Sequence, residues 1–276
     1  MSTYKELLQA GRELLRHQGI ADADVDAWFL LAHVFKISRT ELLLNGDLPA
    51  PEGKTENYHK LISRRAEHIP LQHIIGTQEF MGLEFVVSRD VLIPRQDTET
   101  LVEEVIKVSV GKQVLDLCTG SGCIIISIAS LGRPLKAVGS DISEKALNIA
   151  ATNVKKHGVK VELVQSDLFE NISDSFDIIV SNPPYIPTKD IQNLMTEVRE
   201  HEPKLALDGN VDGLEFYRRI SAESKQYLNQ AGYLFYEIGY DQGEAVKQIL
   251  LQEGFTDITI VKDLSGLDRV VSARRP

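Results

Sequence analysis

Residues 114–122 read Val-Leu-Asp-Leu-Cys-Thr-Gly-Ser-Gly, an apolar run that breaks into a glycine-rich turn. The run predicts a buried strand over 113–117, and a helix is expected from 121 to 131. Gly120 and Gly122 have no Cβ, so the backbone can turn sharply and approach a ligand closely. The first N–H groups of the helix have no partner within the helix. We therefore predict a strand–turn–helix unit with a binding site at the carboxyl end of the strand.

From this unit onward, helices and apolar strands alternate to the end of the sequence. Further strands are predicted over 135–141, 159–165, 177–181, 232–238, 256–261 and 268–272, and further helices over 100–108, 143–157, 214–228 and 242–253. The alternation predicts an α/β fold, with a seven-stranded, mostly parallel, Rossmann-like sheet and helices on both faces. The last two strands are too close for a crossover helix, so the final strand should be antiparallel.

The first third of the chain has a helical pattern instead. Ser38 followed by Glu41 is typical of a capping box, and another helix is expected from about Pro51 to Arg65. Two short strands at 74–80 and 83–87 predict a β-hairpin around Met81-Gly82. We expect three parts: an N-terminal helical substrate-recognition domain at 1–72, a hairpin linker at 73–93 and a catalytic domain at 94–276.

Two acidic residues accompany the glycine-rich turn. Asp141 ends the next strand, about twenty residues on, where it can accept hydrogen bonds from both hydroxyls of a ribose. Asp167 follows the third strand at the height expected for an adenine. A dinucleotide site would need a third glycine where Ile125 stands, and no P-loop sequence is present. The pattern favours a nucleoside without phosphates, of which S-adenosyl-L-methionine is the common example.

The fourth strand stops at Asn182-Pro183-Pro184-Tyr185. Consecutive prolines donate no backbone hydrogen bond, so they end the strand and stiffen the loop. An amide nitrogen is a poor nucleophile because its lone pair is delocalised. The Asn182 side-chain oxygen and the Pro183 carbonyl could fix such a nitrogen by accepting its two N–H bonds, while the Tyr185 ring covers the planar group. We predict catalysis by positioning and electrostatics.

Composition limits the other classes of function. The net charge of -10 counts against a nucleic-acid substrate, since phosphate backbones are bound by basic surfaces. The spacing of Cys118 and Cys123 matches no metal motif, and the seven histidines form no cluster, so no metal is expected. No apolar run is long enough to span a bilayer, and a cytoplasmic protein without membrane contact is expected.

Further motifs accompany the two loops, spread over most of the chain beyond about residue 60. They are Arg64-Arg65-Ala66, Pro70-Leu71-Gln72-His73-Ile74-Ile75-Gly76, Leu92-Ile93-Pro94-Arg95, Thr98-Glu99, Glu202-Pro203, Asp212-Gly213-Leu214 and Asp268-Arg269. Together with the Asn-Pro-Pro-Tyr loop they resemble the bacterial peptide chain release factor glutamine methyltransferases of the HemK/PrmC type. Arg64-Arg65 is either a solvated helix end or a docking site, and Arg95 either a structural ion pair or a substrate contact.

The resemblance implies a class I methyltransferase fold that uses S-adenosyl-L-methionine. The implied substrate is the Gly-Gly-Gln glutamine of class I release factors, methylated on its side-chain nitrogen N5 by what we expect to be a monomer. The implied cofactor-lining residues are Cys118, Thr119, Gly120, Ser121, Gly122, Asp141 and Leu168, to which we add Asp167 and Asn182. Asn182, Pro183, Pro184 and Tyr185 would hold the glutamine, with Asn182, Pro183 and Tyr185 as the catalytic residues.

Two departures from the family pattern leave alternatives open. Gln96-Asp97 stands where the family often has Pro-Glu, and Cys118 stands where glycine is frequent. A related branch that methylates a ribosomal-protein glutamine can carry the same Cys-Thr-Gly-Ser-Gly-Cys-Ile run. The tetrapeptide is also shared with enzymes that methylate amino groups of adenine or guanine in nucleic acids. We therefore keep both as alternatives.

Overall fold

The computed structural model describes residues 2–276 and separates them into two units. One unit comprises the chain up to Gly76 together with Met195–His201, and the other comprises Thr77–Leu194 and Glu202–Pro276. The predicted hairpin lies in the larger unit. The three predicted parts, with boundaries at residues 72 and 93, assign a role to each segment, and those roles stay predictions.

The smaller unit is helical, as the N-terminal pattern predicts. Its elements before Gly76 are α1 (Tyr4–His17), α2 (Ala23–Phe35), α3 (Arg39–Asn45), α4 (Glu52–Ala66) and α5 (Leu71–Ile75). The predicted capping box is present at α3, where Ser38 Oγ accepts from the Glu41 N–H and the Glu41 carboxylate accepts from the Ser38 N–H. Tyr58, fully buried, packs α4 against α2 and donates to the Ala27 carbonyl at 3.3 Å.

Arg65 belongs to the core of this unit rather than to its surface. Its Nε donates to Asp26 at 2.7 Å, and its Nη2 donates to Glu197 at 3.1 Å. Burying a charge is tolerable only when it is paired and hydrogen bonded, and Arg65 meets this condition with two carboxylates. Arg64 is exposed. Neither sequence interpretation of the pair holds for Arg65, which has a structural role.

The larger unit contains the expected α/β fold. Its strands are the hairpin β1 (Thr77–Phe80) and β2 (Leu83–Val86), followed by β3 (Gln113–Leu117), β4 (Lys136–Asp141), β5 (Glu162–Gln165), β6 (Phe176–Ser181), β7 (Leu228–Glu237), β8 (Thr256–Lys262) and β9 (Asp268–Arg274). The remaining helices of the chain are α6 (Glu99–Ile106), α7 (Cys123–Leu131), α8 (Glu144–His157), α9 (Thr196–His201), α10 (Glu215–Tyr227) and α11 (Gly243–Gln252), of which α9 belongs to the smaller unit.

Seven strands form one sheet in the order β5-β4-β3-β6-β7-β9-β8. All neighbouring pairs are parallel except those of β9, which is antiparallel to both β7 and β8. The predicted Rossmann-like, mostly parallel sheet with an antiparallel final strand is confirmed. Apolar side chains pack on both faces of the sheet, which explains why its central strands have nearly continuous apolar sequences.

The register of the central strands determines where the site forms. Leu117 at the end of β3 lies beside Ser140 of β4 and beside Ser181 of β6. The residues that follow these three positions therefore emerge at one edge of the sheet. They are the glycine-rich turn, Asp141 and Asn182.

Some predicted element boundaries are wrong, each for a local reason. Residues 74–76 are not strand, because Pro70 opens the short helix α5, which Gly76 ends with a φ of +86°. Helix α7 begins at Cys123 rather than 121, because Gly122 adopts a left-handed conformation. Strand β7 begins four residues before the predicted Gly232, and β5 begins three residues after the predicted start at Val159.

The hairpin is tied to the glycine-rich turn by one buried side chain of α8. Asn153 accepts from the Val86 N–H at 2.7 Å and donates to the carbonyls of Val86 at 3.0 Å and Ser121 at 2.9 Å. A fully buried amide with three hydrogen bonds is well satisfied. Asn153 therefore holds β2 and the turn in a fixed relation.

Candidate active site

The turn after β3 contains three residues in left-handed conformations. Cys118 has a φ of +60°, Gly120 of +55° and Gly122 of +79°. The conformation is unusual for a residue with a side chain, and it persists only where the surroundings enforce it. Thr119 supplies part of that enforcement, since its hydroxyl donates to the buried Asp116 carboxylate at 2.5 Å and its N–H donates to the Ser140 carbonyl at 2.9 Å.

The two glycines of the turn are needed for different reasons. A Cβ on Gly120 would meet no protein atom within 4 Å, so this position faces open space. A Cβ on Gly122 would lie 2.9 Å from the Cδ1 atom of Ile126 and 3.3 Å from the Cβ atom of Ala150. Gly120 therefore leaves room for a ligand, and Gly122 allows α7 to pack closely against α8.

Asp141 lies at the end of β4, facing the turn. Its carboxylate accepts from the Gly120 N–H at 2.9 Å and from the Ser143 N–H at 2.9 Å. Burial raises the pKa of Asp141, and these backbone N–H groups oppose that rise. Each carboxylate oxygen can accept more than one hydrogen bond, so Asp141 can hold the turn and still accept from a diol.

Asp167 and Leu168 follow β5. Asp167 is paired with Arg219 of α10, whose Nη2 donates at 3.0 Å. Leu168 is buried with a φ of +49°, and its carbonyl accepts from the Ser166 hydroxyl at 2.8 Å. These contacts hold both residues in place after the carboxyl end of β5; the adenine that we predict beside them stays a prediction.

One cavity of about 190 Å³ joins these residues to the loop after β6. The predicted residues that line it are Cys118, Thr119, Gly120, Ser121, Asp141, Asp167, Leu168, Asn182 and Pro184. Gly122, Pro183 and Tyr185 do not line it. Two cationic residues in the lining, Arg95 and Arg219, are each paired with a carboxylate. Both cations that line the cavity are therefore already engaged by acidic side chains.

The tetrapeptide begins immediately after β6. The Asn182 side chain lines the cavity, and its Nδ2 donates to the Thr98 hydroxyl at 3.5 Å. Pro183 and Pro184 are buried. No backbone N–H of residues 2–276 donates to the Pro183 carbonyl, so this acceptor is free of the main-chain network. The amide oxygen of Asn182 and the Pro183 carbonyl are the two acceptors that the sequence predicts.

The loop that follows Tyr185 is held by hydrogen bonds from residues distant in the sequence, most of which the motifs did not include. Gln242 donates to the Tyr185 carbonyl at 3.0 Å and to the Gly213 carbonyl at 3.3 Å. Ile186 forms backbone hydrogen bonds with Leu207 and Gly209, of 3.0 and 2.8 Å. A Cβ on Gly209 would lie 2.8 Å from the Tyr185 backbone. The glycine of Asp212-Gly213 was a visible signal for this close approach, whereas Gln242 had none.

A buried acid lies behind the tetrapeptide and was also missed. Glu237 ends β7, is only 2% exposed, and accepts from the Tyr185 hydroxyl at 3.5 Å. Burial raises the pKa of Glu237 to about 7, against the hydrogen bonding of Thr98 and the charge of Arg269. Burial likewise raises the pKa of Tyr185, so its phenol stays protonated and can donate.

Arg95 has the structural ion pair that was one of its two interpretations. Its Nη2 donates to Glu202, whose side chain is buried, and Arg95 also lines the cavity. Burial raises the pKa of Glu202, while the Arg95 charge opposes the rise. The pair joins the segment before α6 to the Glu202-Pro203 motif on the rim of the cavity.

Burial raises the pKa of both cysteine thiols, that of Cys123 to about 12, so neither side chain is suited to act as a nucleophile. Within residues 2–276 no group of three or more potential metal ligands occurs. Over the same span, no helix has the length and apolar character needed to cross a membrane.

Comparison with known proteins gives a consistent result over the chain. Residues 6–76 match the PrmC N-terminal domain family, and residues 92–211 match the methyltransferase small domain family. The chain is 42% identical over 274 residues to a release factor glutamine methyltransferase of Geobacter sulfurreducens, covering 99% of this chain and 96% of the relative. It is 42% identical to one of Clostridium botulinum, covering 98% and 99%.

Solved structures agree on the fold. A methyltransferase from Pyrococcus furiosus superposes with a TM-score of 0.56 at 14% identity, covering 80% of this chain and 98% of that one. A Thermus thermophilus 16S rRNA N2 G1207 methyltransferase, solved with AdoMet and guanosine, gives 0.51 at 18% identity, covering 72% and 50%. At such identities the likeness shows the fold alone.

A Rossmann-like sheet with a glycine-rich turn, a strand-end acid and an Asn-Pro-Pro-Tyr loop at one edge defines a methyltransferase. The full-length relatives at 42% identity narrow the class: the chain belongs to the release factor glutamine methyltransferase family.

Proposed function

We propose that this protein transfers a methyl group from S-adenosyl-L-methionine to the side-chain nitrogen N5 of the glutamine in the Gly-Gly-Gln motif of class I release factors. The observation that carries the proposal is one cavity, lined by the turn at Gly120, by Asp141 and by Asn182. We assign to this sheet edge both a nucleoside site and the pair of oxygens that bind the substrate amide. The names of the relatives supply the substrate.

The residues around the turn fit the cofactor. The open space at Gly120 admits a ligand against the backbone, and the Asp141 carboxylate is the acceptor for two ribose hydroxyls. Asp167 and Leu168 suit an adenine edge and face, while Cys118, Thr119 and Ser121 line the part nearest β3. Gly122 contributes by packing rather than by contact. When bound, S-adenosyl-L-methionine supplies a methyl group already activated on a sulfonium sulfur.

The tetrapeptide binds and orients the methyl acceptor. The Asn182 amide oxygen and the Pro183 carbonyl accept the two N–H bonds of the glutamine amide and fix its nitrogen in place. Holding a nucleophile in line removes most of the entropic barrier to its attack. The acceptors also stabilise the positive charge that develops on the nitrogen, which loses one proton after methylation. Pro184 lines the cavity, and Tyr185 supports the loop from the core side, where its hydroxyl donates to Glu237.

The role of the N-terminal helices and the partner are part of the proposal. Residues 1–72 match the PrmC N-terminal domain family over most of their length, and we assign to them recognition of the release factor. The net charge of -10 favours a protein acceptor over a nucleic acid. We expect the enzyme to act as a monomer without metal ions.

The test is methyl transfer from labelled S-adenosyl-L-methionine to a purified class I release factor. We expect label on the Gly-Gly-Gln glutamine, located by peptide fragmentation, and none when that glutamine is replaced by glutamate. Ribosomal protein, DNA and RNA serve as competing acceptors in parallel reactions. Label that enters one of these acceptors but not the release factor would refute the proposed substrate.

A further inference from the structure

Glu237 occupies a position between the tetrapeptide and the core of the sheet. One of its oxygens, Oε1, accepts from the Tyr185 hydroxyl at 3.5 Å. The other, Oε2, is buried without a hydrogen-bond partner of normal length among residues 2–276. A buried acceptor without a donor destabilises the fold, so a hydrogen bond to Oε2 would be favourable.

The donors that face this carboxyl group belong to Asn182 and Thr98. Both side chains lie close enough to the carboxyl group to lower the pKa of Glu237, against the larger effect of burial, and Oε2 is the acceptor that is still open to them. Asn182 Nδ2 also donates to the Thr98 hydroxyl at 3.5 Å. The NH2 end of the Asn182 amide is therefore directed toward Thr98, and Glu237 lies close to both side chains.

An asparagine amide can present either its oxygen or its NH2 group, and its partners decide which. An ionised carboxylate accepts hydrogen bonds but donates none, so it selects the NH2 end. We propose that Glu237 is a positioning residue, which holds the NH2 end of Asn182 and thereby turns the Asn182 oxygen toward the substrate amide. This inference rests on the proposed function, since it explains how the acceptor oxygen is aimed.

The ionisation of Glu237 makes the device sensitive to pH. Burial raises its pKa to about 7, so the carboxyl group changes its charge near neutral pH. A protonated carboxyl group can donate through its hydroxyl and no longer selects one end of the amide. The titratable and charged groups that face Glu237 are Arg269 of β9, Asp97 before α6, Tyr185, Tyr217 of α10 and Cys123 of α7.

Three variants test the proposal by methyl transfer to the release factor. We expect Glu237→Ala to lower kcat about 100-fold with little change in cofactor KM, because the amide oxygen is no longer aimed. Glu237→Gln carries both an acceptor and a donor, as the protonated acid does, so its kcat should match that of the parent at low pH and stay within about 10-fold of the parent at high pH. The parent kcat should rise with pH through about 7, whereas that of Glu237→Gln should be flat.

Tyr236→Phe is the matched control. Tyr236 precedes Glu237 on β7, is fully buried and bonds to Ser221 at 3.0 Å, on the face of the strand away from Asn182. It should lower stability and leave the pH profile unchanged. A Glu237→Ala kcat within threefold of the parent, a Glu237→Gln kcat no higher than that of Glu237→Ala, or a rise near pH 7 that persists in Glu237→Gln would overturn the proposal.

A second measurement needs no methyl acceptor and no alanine variant. In ¹⁵N-labelled enzyme bound to S-adenosyl-L-homocysteine, the Asn182 side-chain NH2 resonance should titrate near pH 7, and this titration should be absent in Glu237→Gln. A pH-independent Asn182 resonance in the parent would refute the contact. If the parent methylates no release factor yet this resonance titrates, the proposed function fails while the contact between Glu237 and Asn182 stands.

Discussion

The orientation of one amide, that of Asn182, is the smallest feature on which the proposed reaction depends. Its NH2 end is held by Thr98, and its side chain lines the cavity. The oxygen and the neighbouring Pro183 carbonyl are the pair of acceptors that we propose for the substrate amide. A change at this residue should therefore affect turnover far more than cofactor binding.

Asn182→Ala removes one of the two acceptors. We expect kcat to fall about 100- to 1000-fold, the usual effect of deleting one preorganised polar group at a reacting centre. Cofactor affinity, measured by calorimetric titration, should change by less than about threefold. Methylation at the parent rate by Asn182→Ala would overturn the role given to this residue.

Asp141→Ala separates cofactor binding from catalysis. The loss of two hydrogen bonds from ribose hydroxyls to a charged acceptor, each contributing about 1.5–3 kcal/mol, should weaken S-adenosyl-L-methionine binding at least 100-fold. Since Asp141 also accepts from Gly120 and Ser143, part of this loss reflects a looser turn. Asp141→Asn, which keeps an acceptor oxygen, should bind with intermediate affinity. Calorimetry that gives parent affinity for Asp141→Ala would contradict the ribose assignment.

At the scale of single residues, the sequence predicts the site residues that directly follow a strand. It does not predict the residues that hydrogen bond to them from distant parts of the chain. Asp141 and Asn182 could be found because parallel strands end at one sheet edge, so their next residues must converge. Thr98 was found as part of a motif but without this role, whereas Glu237 and Gln242 were not found. The three lie 84, 55 and 60 positions from Asn182 along the chain. Their contacts depend on tertiary packing that no local pattern encodes.

The glycine-rich turn shows how one element serves both binding and packing. Gly120 and Gly158, which follows α8, are both left-handed, and an added Cβ on either would meet no atom within 4 Å. Gly122 is left-handed too, but its neighbours on α7 and α8 leave no room for a Cβ. Substitutions at the three positions therefore report three different effects: backbone strain at Gly158, helix packing at Gly122 and space for a ligand at Gly120.

Alanine at each of these glycines should give three different results. Gly158→Ala carries only the left-handed strain, about 1–2 kcal/mol in urea unfolding, with parent cofactor affinity. Gly120→Ala should have the same folding cost but bind S-adenosyl-L-methionine at least 10-fold more weakly. Gly122→Ala should be destabilised by a further 1–3 kcal/mol or so, as expected for overpacking. Equal cofactor affinities for Gly120→Ala and Gly158→Ala would show that Gly120 does not face the ligand.

Element prediction succeeds where periodicity and caps agree. The strand at 113–117, the Ser38 capping box and the antiparallel β9 are all present as predicted. It fails where a proline opens a helix, as at Pro70. The helix that carries Arg65 is present as predicted, but the buried ion pair with Asp26 was not. A charged side chain in the core contradicts the apolar pattern, and only its partner explains it.

At the scale of the whole molecule, two buried acids should make the free energy of unfolding decrease as the pH rises. Burial raises the pKa of Glu237 to about 7 and that of Asp116 to about 8, both far above their ordinary values. Below about pH 3 both are protonated in the folded and unfolded chains, since their ordinary pKa values are 3.8 for Asp116 and 4.5 for Glu237. As pH rises, the unfolded chain releases these protons first, so the free energy of unfolding falls until the folded-state pKa is passed.

Glu237→Gln should remove one part of this dependence. At about pH 3.5, below the ordinary pKa of the group, its free energy of unfolding should match that of the parent, and by pH 8 it should exceed the parent value by up to about 3 kcal/mol. The gain follows from a folded-state pKa of about 7 against an ordinary value of 4.5. Urea unfolding followed by circular dichroism at several pH values gives the comparison. Parallel pH curves would contradict the assigned pKa.

The most direct measurement is a structure of the enzyme bound to S-adenosyl-L-homocysteine and a Gly-Gly-Gln segment. We expect the glutamine nitrogen at about 3 Å from both the Asn182 oxygen and the Pro183 carbonyl, the ordinary length of such hydrogen bonds. The nitrogen should also point at the sulfur across the space that a methyl group would fill. A glutamine held elsewhere, or an Asn182 oxygen turned into the core, would contradict the account.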